Sequence, residues 1–272
     1  MNQKMPVLFF GHGSPMNAIA DNPFTRRLAE VGRALPTPQV ILSISAHWLT
    51  RGTWVTGMKN PRTIHDFGGF PHELYQVQYP AQGSPELAKA LHQKMADLPI
   101  HVDEGEWGLD HGTWSVLRHV FPYAQIPIIQ LSLDATQGPE AHLEMGRRLR
   151  DLRNQGVLII GSGNIVHNLR RISWEERAPT PEWASQFDEW VKLSLMQRDY
   201  QALATEHLAT EPGRLSVPTP DHYDPLMVVL GAVEENDKLA FEWEEFQNSS
   251  ISMRSISWGL RNQDASEIKS GG

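Results

Sequence analysis

Twelve histidines and no cysteine set the chemistry open to this chain of 272 residues. Without thiols there is no disulfide, thiolate nucleophile, zinc knuckle or iron–sulfur cluster. Any metal must be held by nitrogen and oxygen. Five histidines stand in contexts that suit a site. His12 lies in Gly11-His12-Gly13-Ser14-Pro15, where the glycines let the backbone turn sharply and clear space around the ring. A phosphate cradle fits that stretch poorly, because Pro15 removes a donor and no lysine follows. His47 follows Ile44-Ser45-Ala46, and the small Ala46 leaves room for a metal to approach. His111 sits in Leu109-Asp110-His111-Gly112-Thr113-Trp114, where Asp110 either orients the ring or caps a helix starting near Thr113. His167 follows Gly161-Ser162-Gly163-Asn164-Ile165-Val166, read as a strand, a glycine turn and the start of a helix. His222 lies between Pro218-Thr219-Pro220-Asp221 and Tyr223-Asp224-Pro225, with prolines stiffening its approach and acids flanking its ring.

Each motif has a plainer reading when taken alone: a turn, a buried structural histidine, a helix face or a surface loop. The remaining seven histidines carry less. His92, His101, His119, His142 and His207 fall among charges on expected helices or strand starts, and read as solvated. His65 and His72 flank Asp66-Phe67-Gly68-Gly69-Phe70-Pro71, a stretch expected to loop over a sheet edge, where it could line a substrate pocket. Trp48 and Trp114 stand close to two of the key histidines, although core packing is the usual place for such rings.

The elements that must position these side chains follow from the apolar pattern. Residues 7–10, 40–45, 126–133 and 157–160 form short continuous apolar runs ending in Gly, Ser or His, as in strands covered on both faces. Helical segments are expected over 23–34, 85–98 (Ser84 capping, Pro85 first), 139–153, one or two within 182–208, and 225–233. Residues 239–244 and 250–258 read as a closing antiparallel hairpin, and 261–272 as a disordered tail after a single domain over 1–260. This alternation predicts an α/β fold with a mixed, mostly parallel central sheet flanked by helices. In such sheets ligands bind beyond the carboxyl ends of the strands. His12 and His47 then fall just past two strand ends and His167 seven residues past a third, which places a metal site at one sheet edge.

Composition limits the function classes. The length is enough to bury roughly three quarters of the unfolded surface, so no staple is needed. A net charge of −8 argues against nucleic acid and against an anionic membrane surface. No apolar stretch reaches the roughly 18 residues of a spanning helix. Residues 1–10 lack the features of a signal peptide, so a cytoplasmic enzyme, monomeric or homodimeric, is the expectation.

The five motifs, in this order, resemble the 4,5-DOPA extradiol dioxygenase branch of the class III (LigB-like) ring-cleaving dioxygenases over residues 6–260. The resemblance implies one divalent metal per chain, Zn(2+) or Fe(2+), held by His12, His47 and His222. His167 and His111 would be catalytic, with His167 also counted among the metal ligands in some descriptions. Better-known class III members use two histidines and one carboxylate. Here the third position falls on His222, and neither Asp221 nor Asp224 can be placed on the metal from the sequence. Three histidines with an open position equally make a zinc site. The implied partners are a small catechol, such as L-DOPA, and O2. The implied product is of the muconic-semialdehyde type, which for DOPA recyclises to pigments.

Two alternatives remain open at this point. A zinc-dependent hydrolase or amidase could use the same histidine cluster, although no HExxH or cysteine signature accompanies it. A non-catalytic metal-binding relative would leave two of the five histidines without a role.

Overall fold

Strands that are apolar on both faces need cover on both sides, and the chain supplies it with helices. The computed structural model of the protein describes residues 3–95, 98–175 and 178–260. In chain order the elements are β1 (Val7–Gly11), α1 (Pro23–Ala34), β2 (Val40–Thr50), β3 (Thr53–Thr56), α2 (His72–Tyr75), α3 (Pro85–Lys94), β4 (Ile100–Asp103) and α4 (His111–Val120). There follow β5 (Ile128–Asp134), α5 (Pro139–Leu149), β6 (Val157–Gly163), α6 (Glu182–Gln197), α7 (Tyr200–Thr205), α8 (Glu211–Ser216) and α9 (Asp224–Ala232). The chain closes with β7 (Leu239–Trp243), β8 (Phe246–Gln247), β9 (Ile251–Ser252) and β10 (Ser255–Trp258).

Eight strands form one sheet in the order β4-β3-β5-β2-β6-β1-β10-β7. Its centre is parallel: β2 pairs with β5 and β6, and β6 with β1. β10 runs antiparallel to both β1 and β7, and β3 antiparallel to β5. The α/β architecture with a mixed, mostly parallel sheet is therefore as the sequence predicts. Alternate residues serve two cores. Val7, Phe9, Leu42, Ile44 and Ile159 pack with α5, α6 and α9 on one face. Leu8, Phe10, Ile41, Leu158 and Ile160 pack with α1 and α4 on the other. Phe9 and Phe10 are fully buried on opposite faces, and each such side chain contributes about 1.5–3 kcal/mol of transfer free energy.

Several local expectations need correction. Residue 45 does not end β2, which runs on to Thr50 through a break in register between Ile44 and Leu49, so His47 sits inside an irregular strand. The 161–163 stretch is not a turn: it extends β6, paired with β1 as far as Gly163. His167 starts no helix but makes an isolated bridge to Ile251, and a short 3-10 turn follows at Leu169–Arg171. The helix at 139 tightens to 3-10 geometry after Leu149. The 182–208 region divides into α6 and α7 at Arg198, whose left-handed φ of 59° ends the first helix. The tail at 261–272 lies outside the described residues. No helix among the described residues is long and apolar enough to cross a membrane.

Candidate metal centre

His12 leaves the end of β1 with its backbone still in the ladder, its N–H bonded to the Gly163 carbonyl at 3.1 Å. The side chain is buried and its Nδ1 lies 3.0 Å from Ser162 Oγ. The Ser162 hydroxyl gives its one proton to the Gly112 carbonyl, so it must accept from His12 Nδ1–H. That fixes the tautomer and leaves Nε2 of His12 as a lone pair. Irregular β2 turns His47 so that its Nε2 lies 3.3 Å from His12 Nε2. His222, on the turn before α9, gives its Nδ1 proton to the Asp221 carboxylate, which again leaves Nε2 free.

With a lone pair on His12 Nε2, the 3.3 Å approach of His47 Nε2 is met either by a proton on His47 Nε2 or by a cation between the two rings. Bonds of about 2.1 Å at octahedral or tetrahedral angles separate two ligands by about 3.0–3.4 Å. One nitrogen from each of His12, His47 and His222 lies within 4.8 Å of the others. The donor set therefore suits one divalent metal. Burial lowers the pKa of His12 and His222 well below the usual histidine value, helped by the neighbouring imidazoles. Burial, with the charge of His111, also brings His47 to about 3. All three are thus neutral near pH 7, as metal ligands must be.

Close backbone packing sets these positions. A Cβ on Gly163 would lie 2.2 Å from the His222 carbonyl oxygen, which accepts the Asn164 N–H at 2.9 Å. A Cβ on Gly112 would meet Ser45 Oγ at 2.5 Å and His47 Cδ2 at 2.9 Å. The glycines of both motifs are there for want of space.

The other two histidines flank this cluster. His167 stacks on His222 with ring centroids 3.4 Å apart. Burial lowers its pKa to about 4, against the opposing charge of Asp221. His111, the first residue of α4, has its ring 4.0 Å from that of His47 and 5.6 Å from that of His12. Asp110 caps the helix through the Thr113 N–H and lies behind it, accepting from Ser45 Oγ at 2.6 Å and from Gln130 Nε2. Complete burial and the nearby Asp66 charge raise the Asp110 pKa to about 6. All five motif histidines therefore come together at the carboxyl edge of the sheet.

Sequence reasoning gave Asp66 no role of its own, reading its loop as passing over a sheet edge where it could line a substrate pocket. One carboxylate oxygen accepts the His111 backbone N–H at 2.9 Å. The other lies 3.0 Å from His111 Nδ1 and 3.5 Å from His47 Nδ1. Burial opposes its ionisation, but the hydrogen bonds and charges of His111 and His47 outweigh it and hold the carboxyl below the usual range. The two acids beside His222 separate: Asp221 backs the ring, whereas Asp224 faces away to His142 Nδ1 at 3.1 Å. His142 and His207 are buried, contrary to the expectation that they are solvated. His207 stacks on Tyr223 at 5.0 Å, beneath α9. Trp114 is buried in the core with its indole N–H on the Ile64 carbonyl, and Trp48 stacks on Trp107.

Residues 7–257 match the family described as the catalytic LigB subunit of aromatic ring-opening dioxygenase. A protein from Escherichia coli (strain K12) named 4,5-DOPA dioxygenase extradiol is 46% identical over 258 residues, covering 94% of this chain and 95% of that protein. One of the same name from Beta vulgaris is 37% identical over 238 residues, covering 85% and 88% of the two chains. The crystal structure of an uncharacterised protein from Escherichia coli K12 superposes with a TM-score of 0.81 at 42% identity, covering 93% of this chain and 99% of that one.

Proposed function

Because the chain belongs to the family of the catalytic LigB subunit of aromatic ring-opening dioxygenases, we propose that its histidine cluster carries out extradiol cleavage of L-DOPA or a closely similar catechol. The protein is a metal-dependent extradiol ring-cleaving dioxygenase; the substrate, the metal and the residue roles are our reading. The observation that carries it is the convergence of the His12, His47 and His222 ring nitrogens. Those three residues would hold the metal. When bound, Fe(II) supplies Lewis acidity towards the diol and the one-electron chemistry that dioxygen requires, which zinc cannot supply.

The reaction breaks the ring carbon–carbon bond beside the diol and adds both atoms of O2, giving a muconic-semialdehyde-type product. The chain's own groups handle the protons. His167 is neutral, so one of its ring nitrogens can accept a hydroxyl proton from the catechol. The imidazolium that results is stabilised by the Asp221 charge, which acts on His167 in that direction. His111, its ring 4.0 Å from that of His47, takes the second catechol hydroxyl proton at Nε2; the imidazolium so formed stabilises negative charge on the reacting oxygens and returns that proton as the ring opens. Phe67 lies edge-on to His111 at 5.3 Å, in a loop that helps exclude water from that side.

The test loads metal-free protein with Fe(II) under argon, adds L-DOPA and air, and follows oxygen uptake with the appearance of a visible chromophore. A zinc-loaded sample runs in parallel. Iron-dependent uptake that disappears in His12→Ala is the expected result. Absence of uptake with DOPA and with a panel of small catechols, at full iron occupancy, would overturn the proposal.

A further inference from the structure

Among the described residues, Asp66 is the carboxylate set between the His47 and His111 imidazoles that belongs to neither motif. Its Oδ1 accepts the backbone N–H of His111 at the first turn of α4, where a helix favours negative charge. Its Oδ2 lies 3.0 Å from His111 Nδ1, oblique to a straight hydrogen bond. Such contacts commonly straighten once substrate is in place. The loop that carries Asp66 is pinned to the His111 segment on two sides. The Ile64 N–H bonds to the Leu109 carbonyl at 2.7 Å, and the Ile64 carbonyl takes the Trp114 indole N–H at 2.7 Å. These two bonds tie the loop to the start of α4 and place the carboxylate beside the ring.

We propose that Asp66 is the positioning residue of His111: its carboxylate keeps the proton on Nδ1 and leaves Nε2 as the nitrogen open to substrate. A ring nitrogen is assigned by what its partner accepts. A carboxylate oxygen only accepts, so a hydrogen bond across this 3.0 Å contact requires Nδ1 as its donor. The same oxygen, 3.5 Å from His47 Nδ1, biases that ring in the same sense, with Nε2 already toward His12. One side chain thus sets the tautomer of two rings that the sequence places 64 residues apart, at 47 and 111. The inference rests on reading His111 as an acid–base group of the dioxygenase.

Asp66→Asn separates the possibilities. The amide oxygen can still accept the His111 backbone N–H, but the amide NH2 facing Nδ1 needs an acceptor and so favours the other tautomer. In zinc-loaded protein labelled with 15N-histidine, His111 is expected to carry its proton on Nδ1, and in Asp66→Asn on Nε2. In iron-loaded protein, kcat per bound iron is expected to fall about 10- to 100-fold with KM within about twofold. Asp66→Glu, which keeps the charge, should retain the Nδ1 proton and recover most of kcat. If Asp66→Asn does not fold, the wild-type spectrum decides, because a His111 proton on Nε2 there overturns the assignment. An unchanged tautomer in Asp66→Asn, or a fall in turnover that only tracks lost metal, would overturn the assignment. If iron-loaded wild type takes up no oxygen, the dioxygenase reading fails while the tautomer measurement still decides the role of Asp66.

Discussion

The imidazoles of His167 and His222 lie face to face, their centroids 3.4 Å apart and their planes 8° from parallel. In-plane lone pairs of parallel stacked rings run parallel and do not meet at one ion. His222 shares one metal-capable group with His12 and His47 and another with His167 and Asp221, so it is the stack that separates the two rings. The stack therefore favours His222 as ligand and His167 as the proton acceptor. His167→Gln is expected to keep its metal and lose about 100- to 10,000-fold in turnover. His222→Gln should lose the metal itself. Metal analysis beside oxygen uptake separates the two, and a His167 variant that loses metal as His222→Gln does would make it a fourth ligand.

His111 offers a test between catalysis and binding. A protein that only held a metal would tolerate His111→Ala, because the ring lies outside the group formed by His12, His47 and His222. As an acid–base group it should cost about 100- to 10,000-fold in kcat at unchanged metal content. Single-turnover oxygen consumption with saturating catechol is the readout.

Gly163 has no room for a side chain. Its added Cβ would lie 2.2 Å from the His222 carbonyl oxygen, a backbone atom that cannot swing aside. Gly163→Ala should shift the His222 turn, weaken metal retention, and lower stability by about 1–3 kcal/mol, as overpacking does. Thermal melts with and without metal measure both effects.

Acid sensitivity should arise away from the site. Arg153, with no exposed side-chain surface, meets Asp237 at 2.6 Å, and also bonds to the carbonyls of Met5 and Ala232. Burial opposes ionisation of Asp237, but Arg153, the Glu234 backbone N–H and Lys4 together hold its pKa below the usual carboxylate value. A depressed folded pKa means that the pair stabilises fully above the unfolded value of about 4, and that this is lost as pH falls through the lower folded value. Asp237→Asn should cost about 3–5 kcal/mol at pH 7, since it strands a buried guanidinium. Urea melts between pH 7 and pH 3 should show the gap from wild type narrowing at the acid end.

The sequence by itself determined the four central parallel strands and the five histidines that meet at their edge, whereas β3 and β4 were not legible in it. Continuous apolar runs at β1, β2, β5 and β6 identify strands covered on both faces, because such runs are stable only there. Glycines and small residues next to His12, His47 and His111, and Gly161 and Gly163 ahead of His167, mark positions where another chain segment must come close. Those signals are local, so they can be read along the chain.

Tertiary structure alone decided what depends on a partner far away in sequence. Nothing around Asp66 tells that it will meet His111, because the contact exists only once Ile64 is fixed between Leu109 and Trp114. His142 and His207 sit beside charged neighbours and read as solvated, yet packing beneath α9 buries them against Asp224 and Tyr223. The extension of β2 past Ile44 likewise comes from pairing with β5, which resumes at Leu49. A side chain's type and neighbours limit the chemistry it can do. Which proton it holds, and toward which atom, is set by groups that only the folded chain brings within about 3 Å.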